Sequence, residues 1–149
     1  MKISKNVIAL VLFTMTLTGV FAQSGETKKL LINKWVIDKE AMKPVAEVML
    51  ATNPQYATQD AAGKEATINM ALDQLSGVKR EYLNDGTYTG TNPGGSNIIG
   101  KWALSPDEKE LIIKAENKPE QKVKVAAISK TKLHLIAEGN RDLFLKTED

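Results

Sequence analysis

The sequence contains no cysteine and only one histidine, and only 5% of its residues are aromatic. Without cysteine the chain can form no disulfide framework, and no cysteine near the N-terminus can carry a lipid anchor. A single histidine with no thiol cannot build a zinc or copper site of ordinary composition. The protein therefore depends on its hydrophobic core for stability, and we expect no metal site and no cofactor.

An excess of charge of one sign is also lacking. The formal net charge of +2 comes from Lys2 and Lys5, because the other 18 basic residues balance 18 acidic ones. No run of basic residues and no stripe of basic and aromatic residues stands out. These features argue against nucleic acid and anionic membrane surfaces as partners.

Motifs that would indicate catalysis are missing. Nucleophilic catalysis needs a base near the nucleophile, and His134 is the only histidine, while no G-x-S-x-G motif occurs. Folding can always bring separated carboxylates together, but nothing in this sequence selects a pair. We therefore expect that the protein is not an enzyme and name no catalytic residues. Catalysis by acidic residues stays the weaker alternative.

The N-terminus has the features of an export signal. Lys2 and Lys5 precede an uncharged, mostly apolar stretch over residues 7–21, and Val20-Phe21-Ala22 suits a signal peptidase. This stretch is short for a membrane span, which needs about twenty residues. We expect cleavage after Ala22 and export to the periplasm or the exterior. The mature domain would then cover residues 23–149 and contain no transmembrane span.

From residue 78 to residue 146 the chain alternates short β-type segments with turn signals. The segments are VKREYL, TYTGT, NIIGKWALS, LIIKAEN, KVKVAAIS, KLHLIAEG and DLFLKTE. Most connections are only a few residues long, so neighbouring strands must be antiparallel. A further strand at KLLINKWVID, residues 29–38, brings the total to about eight. Such a meander is typical of a barrel, which either encloses a ligand or is filled by its own side chains.

Between residues 38 and 78 the composition changes from β-branched residues to Ala, Met, Gln, Glu and Lys. The apolar residues adopt helical spacing, from Val45 to Met49 and from Ile68 to Leu75. We expect two helices within about 42–77. Pro44 suits the first turn of one helix, and Thr58 or Asp60 is placed to cap the other.

Alternation within each strand separates a core face from an outer face. The core face carries Ile98, Trp102, Leu104, Leu111, Ile113, Val123, Val125, Leu133, Leu135, Leu143 and Leu145. The outer face carries many lysines, together with Ile99, Ile112, Ile128, Ile136 and Phe144. We expect the helical segment, a protein partner or a second copy of the chain to cover these outer apolar residues.

Several segments resemble the small secreted lipocalin-like domains of bacteria. The resemblance rests on INKWVID, the hairpin REYLNDGTYTG, the strand GKWALSPDEKELII and the closing ISKTKLHLI. It implies a mainly β fold, an eight-stranded antiparallel up-and-down barrel. The helical insert expected between the first and second strands is the part that conforms least, because lipocalins proper place a helix after the last strand. The sequence departs from the pattern at Asn33, where a GxW motif has glycine. The position of the helices is more like that in intracellular fatty-acid-binding proteins, where they form a lid.

The resemblance also implies which residues line the barrel. Tyr82 is expected to point inward, and Arg80 then shares its face. Fatty-acid-binding barrels hold a carboxylate with an Arg-x-Tyr pair, so Arg80 and Tyr82 are candidates for ligand binding. The alternative places Arg80 at the mouth, in water or paired with an acidic side chain. Tyr88, Trp35 and Trp102 are further candidates, either lining a pocket or packing as core.

These observations predict an exported lipocalin-like protein that binds a small hydrophobic or amphipathic ligand inside its barrel. The alternative is a non-enzymatic interaction or structural module with a filled barrel. An internal cavity of several hundred cubic ångströms favours the first reading, and a filled interior favours the second.

Overall fold

A computed structural model of the protein describes residues 25–148, so the predicted export signal lies outside the described residues. Within that range the chain forms a mainly β fold. In chain order its elements are α1 (Glu26–Leu31), β1 (Lys34–Ile37), α2 (Lys39–Leu50), α3 (Pro54–Ala57), α4 (Ala61–Gln74), β2 (Lys79–Tyr82), β3 (Thr87–Thr91), β4 (Asn97–Leu104), β5 (Glu110–Ala115), β6 (Gln121–Ile128), β7 (Lys132–Ala137) and β8 (Arg141–Thr147). None of the helices in residues 25–148 has both the length and the apolar character that crossing a membrane requires.

The eight strands form a closed barrel in which each strand pairs with the next and β8 pairs back with β1. All pairs are antiparallel, and the closing register places Trp35 opposite Thr147 and Ile37 opposite Leu145. The predicted eight-stranded up-and-down barrel, with helices between its first two strands, is confirmed. We call the end of the barrel where β1 begins the lower end, and the end where β1 ends the upper end.

The predicted opening strand is half wrong, because its first part is helical. Residues 29–38 were expected to form one strand, whereas α1 continues to Leu31 and β1 begins only at Lys34. Leu31 is fully buried, and its carbonyl accepts a hydrogen bond of 3.0 Å from Trp35 Nε1. The backbone N of Gly25 donates to Glu108 Oε1, in the β4–β5 turn, at 2.5 Å. α1 therefore crosses the lower end of the barrel.

The helical segment contains three helices rather than the two expected. α2 begins at Lys39 because Asp38 caps its first turn, and Pro44 therefore lies inside the helix instead of at its start. Asn53 caps the short α3, and Asp60 caps α4 as predicted. A capping side chain satisfies backbone N–H groups that have no partner within the helix, so these three residues fix where the helices begin.

α2 completes the barrel wall where β1 is short. β1 pairs only with residues 145–147 of β8, so the first half of β8 has no partner on that side. There the backbone N of Phe144 donates to the sulfur of Met42 at 3.4 Å, and the backbone N of Asp38 donates to the Phe144 carbonyl at 3.0 Å. The buried helix residues belong to the same hydrophobic cluster as the barrel interior: Met42, Ala46, Tyr56, Ile68 and Leu72.

The alternation of the strands correctly identifies the core face except in β6, where a bulge between Val125 and Ala127 shifts the register. Ile128, expected on the outer face, is therefore opposite buried Leu133 and packs against the core. The buried members of the core face are Trp102, Leu111, Ile113, Leu133, Leu135 and Leu145, and its partly buried members are Ile98, Leu104, Val123, Val125 and Leu143. Among the outer apolar residues, Phe144 packs against α2 and stacks on His134, with 4.1 Å between ring centroids. Ile99 stays 55% exposed. The helical segment thus covers only part of the outer apolar surface.

Candidate functional site at the rim of the barrel

The five residues selected from the sequence lie close together on the first four strands. Trp35 of β1 is opposite Arg80 of β2, and Tyr82 of β2 is opposite Tyr88 of β3. Trp102 of β4 approaches the Tyr82 ring edge-on, with 5.5 Å between centroids and 75° between planes. The fold therefore assembles the predicted residues into one cluster.

The four aromatic members of the cluster fill the lower part of the barrel. Tyr82 and Tyr88 have ring centroids 5.3 Å apart, and all four side chains are buried. Trp102 Nε1 donates to the Leu83 carbonyl at 3.0 Å, just as Trp35 Nε1 does to Leu31. Rings at such distances are in direct contact and leave no room for a ligand between them.

Burial changes the chemistry of the two tyrosine hydroxyls. Desolvation raises the pKa of Tyr82, the nearby Tyr88 raises it further, and the charge of Arg80 opposes the shift. Desolvation likewise raises the pKa of Tyr88 against the opposing charge of Arg80. Both hydroxyls therefore stay protonated at neutral pH and keep their capacity to donate hydrogen bonds.

Arg80 extends from this cluster to the upper rim of the barrel. Its Nη1 donates to the backbone carbonyls of Lys79 and Thr91, both at 2.7 Å. Gly90 is directly opposite, and a Cβ on that residue would lie 3.2 Å from Nη1. Glycine at this position leaves room for the guanidinium. Sequence reasoning missed Gly90, although a glycine within the strand TYTGT is a signal that another group approaches the backbone closely.

A groove of about 380 Å³ opens beside Arg80 at the rim of β2, β3 and β4. Its volume lies in the range of small-molecule sites, about 300–1,000 Å³. Ile98 and Ile99 supply apolar surface, and Thr89, Thr91 and Asn97 supply polar groups. The groove therefore offers contacts to both parts of an amphipathic molecule.

The charged side chains of the groove pair with one another, except for Arg80. Lys34 Nζ lies 3.7 Å from Glu81 Oε1, and Lys79 forms an ion pair with Glu148. The hydrogen bond and charge of Lys79 hold the pKa of Glu148 below its usual value. Within residues 25–148, Arg80 contacts no carboxylate, and its Nε and Nη2 make no hydrogen bond. One uncompensated cation therefore faces the groove.

The single histidine lies elsewhere. His134 of β7 faces outward, with Nε2 2.7 Å from Asp142 Oδ1 and its ring stacked on Phe144. In the part of the chain that the structure covers, no three His, Cys, Asp or Glu side chains are grouped so that they could hold a metal ion. The chemical character of the groove therefore rests on Arg80, the two ion pairs and the isoleucines.

No protein-family model matches the chain, and no curated protein matches it in sequence. Among solved structures, the chain is similar to a DUF4847 family protein from Bacteroides vulgatus. That likeness covers 82% of this chain and 96% of the other, with a TM-score of 0.52 and 16% identity. A lipocalin-like protein from Bacteroides uniformis aligns over 49% of this chain and 80% of its own, with a TM-score of 0.41 and 15% identity.

At 16% identity the first likeness concerns the fold alone. It agrees with the closed antiparallel meander of eight strands. The fold is an eight-stranded up-and-down barrel, the architecture that lipocalins have, crossed at its lower end by a short N-terminal helix and with a helical segment inserted after the first strand.

Proposed function

We propose that the protein is an exported, non-enzymatic binding protein that holds a small amphipathic ligand at the rim of its lipocalin-like barrel. The observation that carries this proposal is the unpaired guanidinium of Arg80 in a groove whose other charges are paired. The export part of the proposal rests on the sequence pattern from Lys2 to Ala22.

Arg80 suits the anionic head of such a ligand. Nη1 is fixed by two carbonyls, so the guanidinium is oriented before a ligand arrives, while Nε and Nη2 keep donors for a carboxylate or phosphate. Hydrogen bonds between charged groups are short and strong, and a planar guanidinium matches a carboxylate in two places. The apolar part of the ligand would contact Ile98 and Ile99 in the groove.

Isothermal titration with decanoate tests this assignment, with the uncharged 1-decanol as the matched ligand. We expect decanoate to bind more tightly than decanol, and Arg80→Gln to weaken decanoate binding about tenfold or more, since a charged hydrogen bond contributes about 1.5–3 kcal/mol. Arg141→Gln is the matched control, because Arg141 is exposed at the start of β8 and bonds only the Glu138 carbonyl. Equal decanoate affinity of the two variants would refute the role of Arg80.

The packed interior favours a second proposal, that the barrel is filled and the protein is an interaction or structural module. Five interior side chains are at most 1% exposed: Trp35, Tyr82, Leu111, Leu133 and Leu145. Exposed Val48, Met49 and Ile99 would then contact a protein partner or a second copy. Native mass spectrometry of protein purified from its host separates the two proposals. A co-purifying small molecule supports the first, and a bare chain that takes up nothing from lipid extracts supports the second.

A further inference from the structure

The outer surface of β4, β5 and β6 carries four exposed lysines: Lys101, Lys114, Lys122 and Lys124. We call this surface the lysine face. Residues two apart in a strand point the same way, and hairpin pairing brings the outward residues of the three strands side by side. Lys101 is directly opposite Lys114, and Lys122 is directly opposite the half-buried Ile112.

The protein itself neutralises the lysine face only in part, since Glu110 is directly opposite Lys124 and the charge of Lys101 acts on the carboxylate of Asp85. Within residues 25–148 none of the four lysines forms an ion pair, whereas Lys34, Lys39, Lys43, Lys79 and Lys132 all do. Glu110 is the only carboxylate on the outward positions of these three strands, which leaves the face with a net charge of about +3. Like charges directly opposite each other, as at Lys101 and Lys114, destabilise a sheet. An anionic partner would relieve that repulsion.

The composition of the lysine face indicates what kind of anion fits. Specific protein interfaces are enriched in aromatic residues and arginine and depleted in lysine. Single-stranded nucleic acids require aromatic side chains on which bases stack. This face has neither aromatic residues nor arginine, but it places Ile112 and the exposed Ile99 among its lysines. The side of a barrel is also convex, which suits contact with an extended surface.

We propose that the lysine face docks the protein on the surface of a membrane that contains anionic phospholipid. Each lysine near such a surface strengthens binding about fivefold, and the attraction is screened within a Debye length of about 10 Å at 0.1 M salt. The balanced composition argued against an anionic membrane surface as a partner, and this proposal departs from that expectation. The cationic face is on one side of a chain that is nearly neutral overall, so the local charge of the face, and not the net charge, sets the attraction. None of the four lysines lines the groove beside Arg80, so the proposal does not rest on the ligand proposed there, although Ile99 borders both surfaces.

Co-sedimentation with vesicles at low ionic strength tests the proposal. We expect the purified protein to bind vesicles of phosphatidylcholine mixed with phosphatidylglycerol and not vesicles of phosphatidylcholine alone. The double variant K114Q/K122Q should bind about 25-fold more weakly, about fivefold for each lysine. The control K39Q/K43Q removes the same charge from α2 and should bind like the wild type, and circular dichroism verifies that both variants are folded.

Three results would overturn the proposal. The first is equal binding of the two double variants, which would show that only overall charge matters. The second is binding that persists at high salt, which would identify an apolar contact instead. The third is binding to heparin without binding to anionic vesicles, which would assign the lysine face to an acidic polymer.

Discussion

The carboxylate of Asp38 accepts a hydrogen bond from the ammonium of Lys132, although 94 residues separate them in the chain. Asp38 directly follows β1, and Lys132 begins β7 on the other side of β8. The second carboxylate oxygen of Asp38 accepts from the backbone N of Ala41 at 3.4 Å and so caps α2. One buried side chain therefore joins the barrel to the helical segment at the point where strand turns into helix.

This arrangement predicts a pH-dependent contribution of Asp38 to stability. Burial by itself raises the pKa of Asp38, but the bonds from Lys132 and Ala41 and the charges of Lys132 and Lys146 together bring it below its usual value. The unfolded carboxyl titrates near pH 3.9. Because the folded pKa is lower, the stabilisation is complete above that pH and is lost as the pH falls through the folded pKa.

We expect Asp38→Asn, which keeps a capping side chain but loses the charge, to lower the free energy of unfolding by about 1–2 kcal/mol at pH 7. The difference between wild type and variant should shrink when urea unfolding is repeated at about pH 3, below the unfolded pKa. A difference of the same size at both pH values would show that the Lys132 pair contributes nothing.

Two methionines of α2 test whether this helix is part of the barrel wall. Met42 is 5% exposed and contacts β8 through its sulfur, whereas Met49 is 65% exposed. Met42→Ala should lower the free energy of unfolding by about 2–4 kcal/mol, since it leaves a cavity in the shared core. Met49→Ala should change it by less than about 0.5 kcal/mol. Equal small effects in chemical denaturation would mean that α2 lies loosely on the barrel.

Gly100 and Gly77 differ in the space available for a side chain, so their alanine variants should differ in stability. A Cβ on Gly100 would come 2.7 Å from Ala115 Cα and closer still to the Lys114 carbonyl, so β4 and β5 would have to separate. Gly100→Ala should therefore destabilise by about 2 kcal/mol or more. A Cβ on Gly77 meets nothing within 4 Å, and Gly77→Ala should be neutral or stabilise by up to about 1 kcal/mol. Thermal unfolding of both variants measures the contrast, and a tolerated Gly100→Ala would contradict the close approach of the two strands.

The barrel could be predicted from the sequence because its signals are local. Strands are indicated by period-two alternation, as in GKWALS, and turns by residues such as those of NDG. Both signals depend only on residues a few positions apart. The start of α2 was misplaced because the pattern assigns Asp38, its cap, to the end of the opening strand and Pro44 to the first helical turn. The helical α1 was taken for strand because a short apolar run has no decisive period.

The candidate site, too, could be predicted where its signals are local and not where it depends on residues distant in the chain. Alternation correctly placed Arg80 and Tyr82 on one face, but the sequence could not show that the neighbouring charges are already paired. Those pairs join β1 to β2 and β2 to the C-terminal segment, at Lys34–Glu81 and Lys79–Glu148. The lysine face could not be predicted from the sequence either. Its lysines form no run along the chain and become neighbours only when β4, β5 and β6 pair.

The indole N–H groups of Trp35 and Trp102, at the lower end of the barrel, donate to carbonyls in different surroundings. Trp35 is fully buried and donates to the carbonyl of Leu31, itself fully buried at the end of α1. Trp102 makes an equivalent bond to Leu83, which is 37% exposed. When either tryptophan becomes phenylalanine, one carbonyl loses its indole donor, but the Leu83 carbonyl keeps a hydrogen bond of 3.1 Å from the backbone N of Gly86.

The Leu83 carbonyl thus keeps a protein donor, whereas within residues 25–148 the carbonyl of fully buried Leu31 is left without one, and an unpartnered buried carbonyl costs about 1–3 kcal/mol. We therefore expect Trp35→Phe to destabilise the protein more than Trp102→Phe by about that amount in urea unfolding. Amide exchange of α1 should also accelerate in Trp35→Phe alone, because the helix loses its bond to β1. If the two variants were equally stable and α1 stayed protected in both, the Trp35 bond would not be what holds α1 across the lower end.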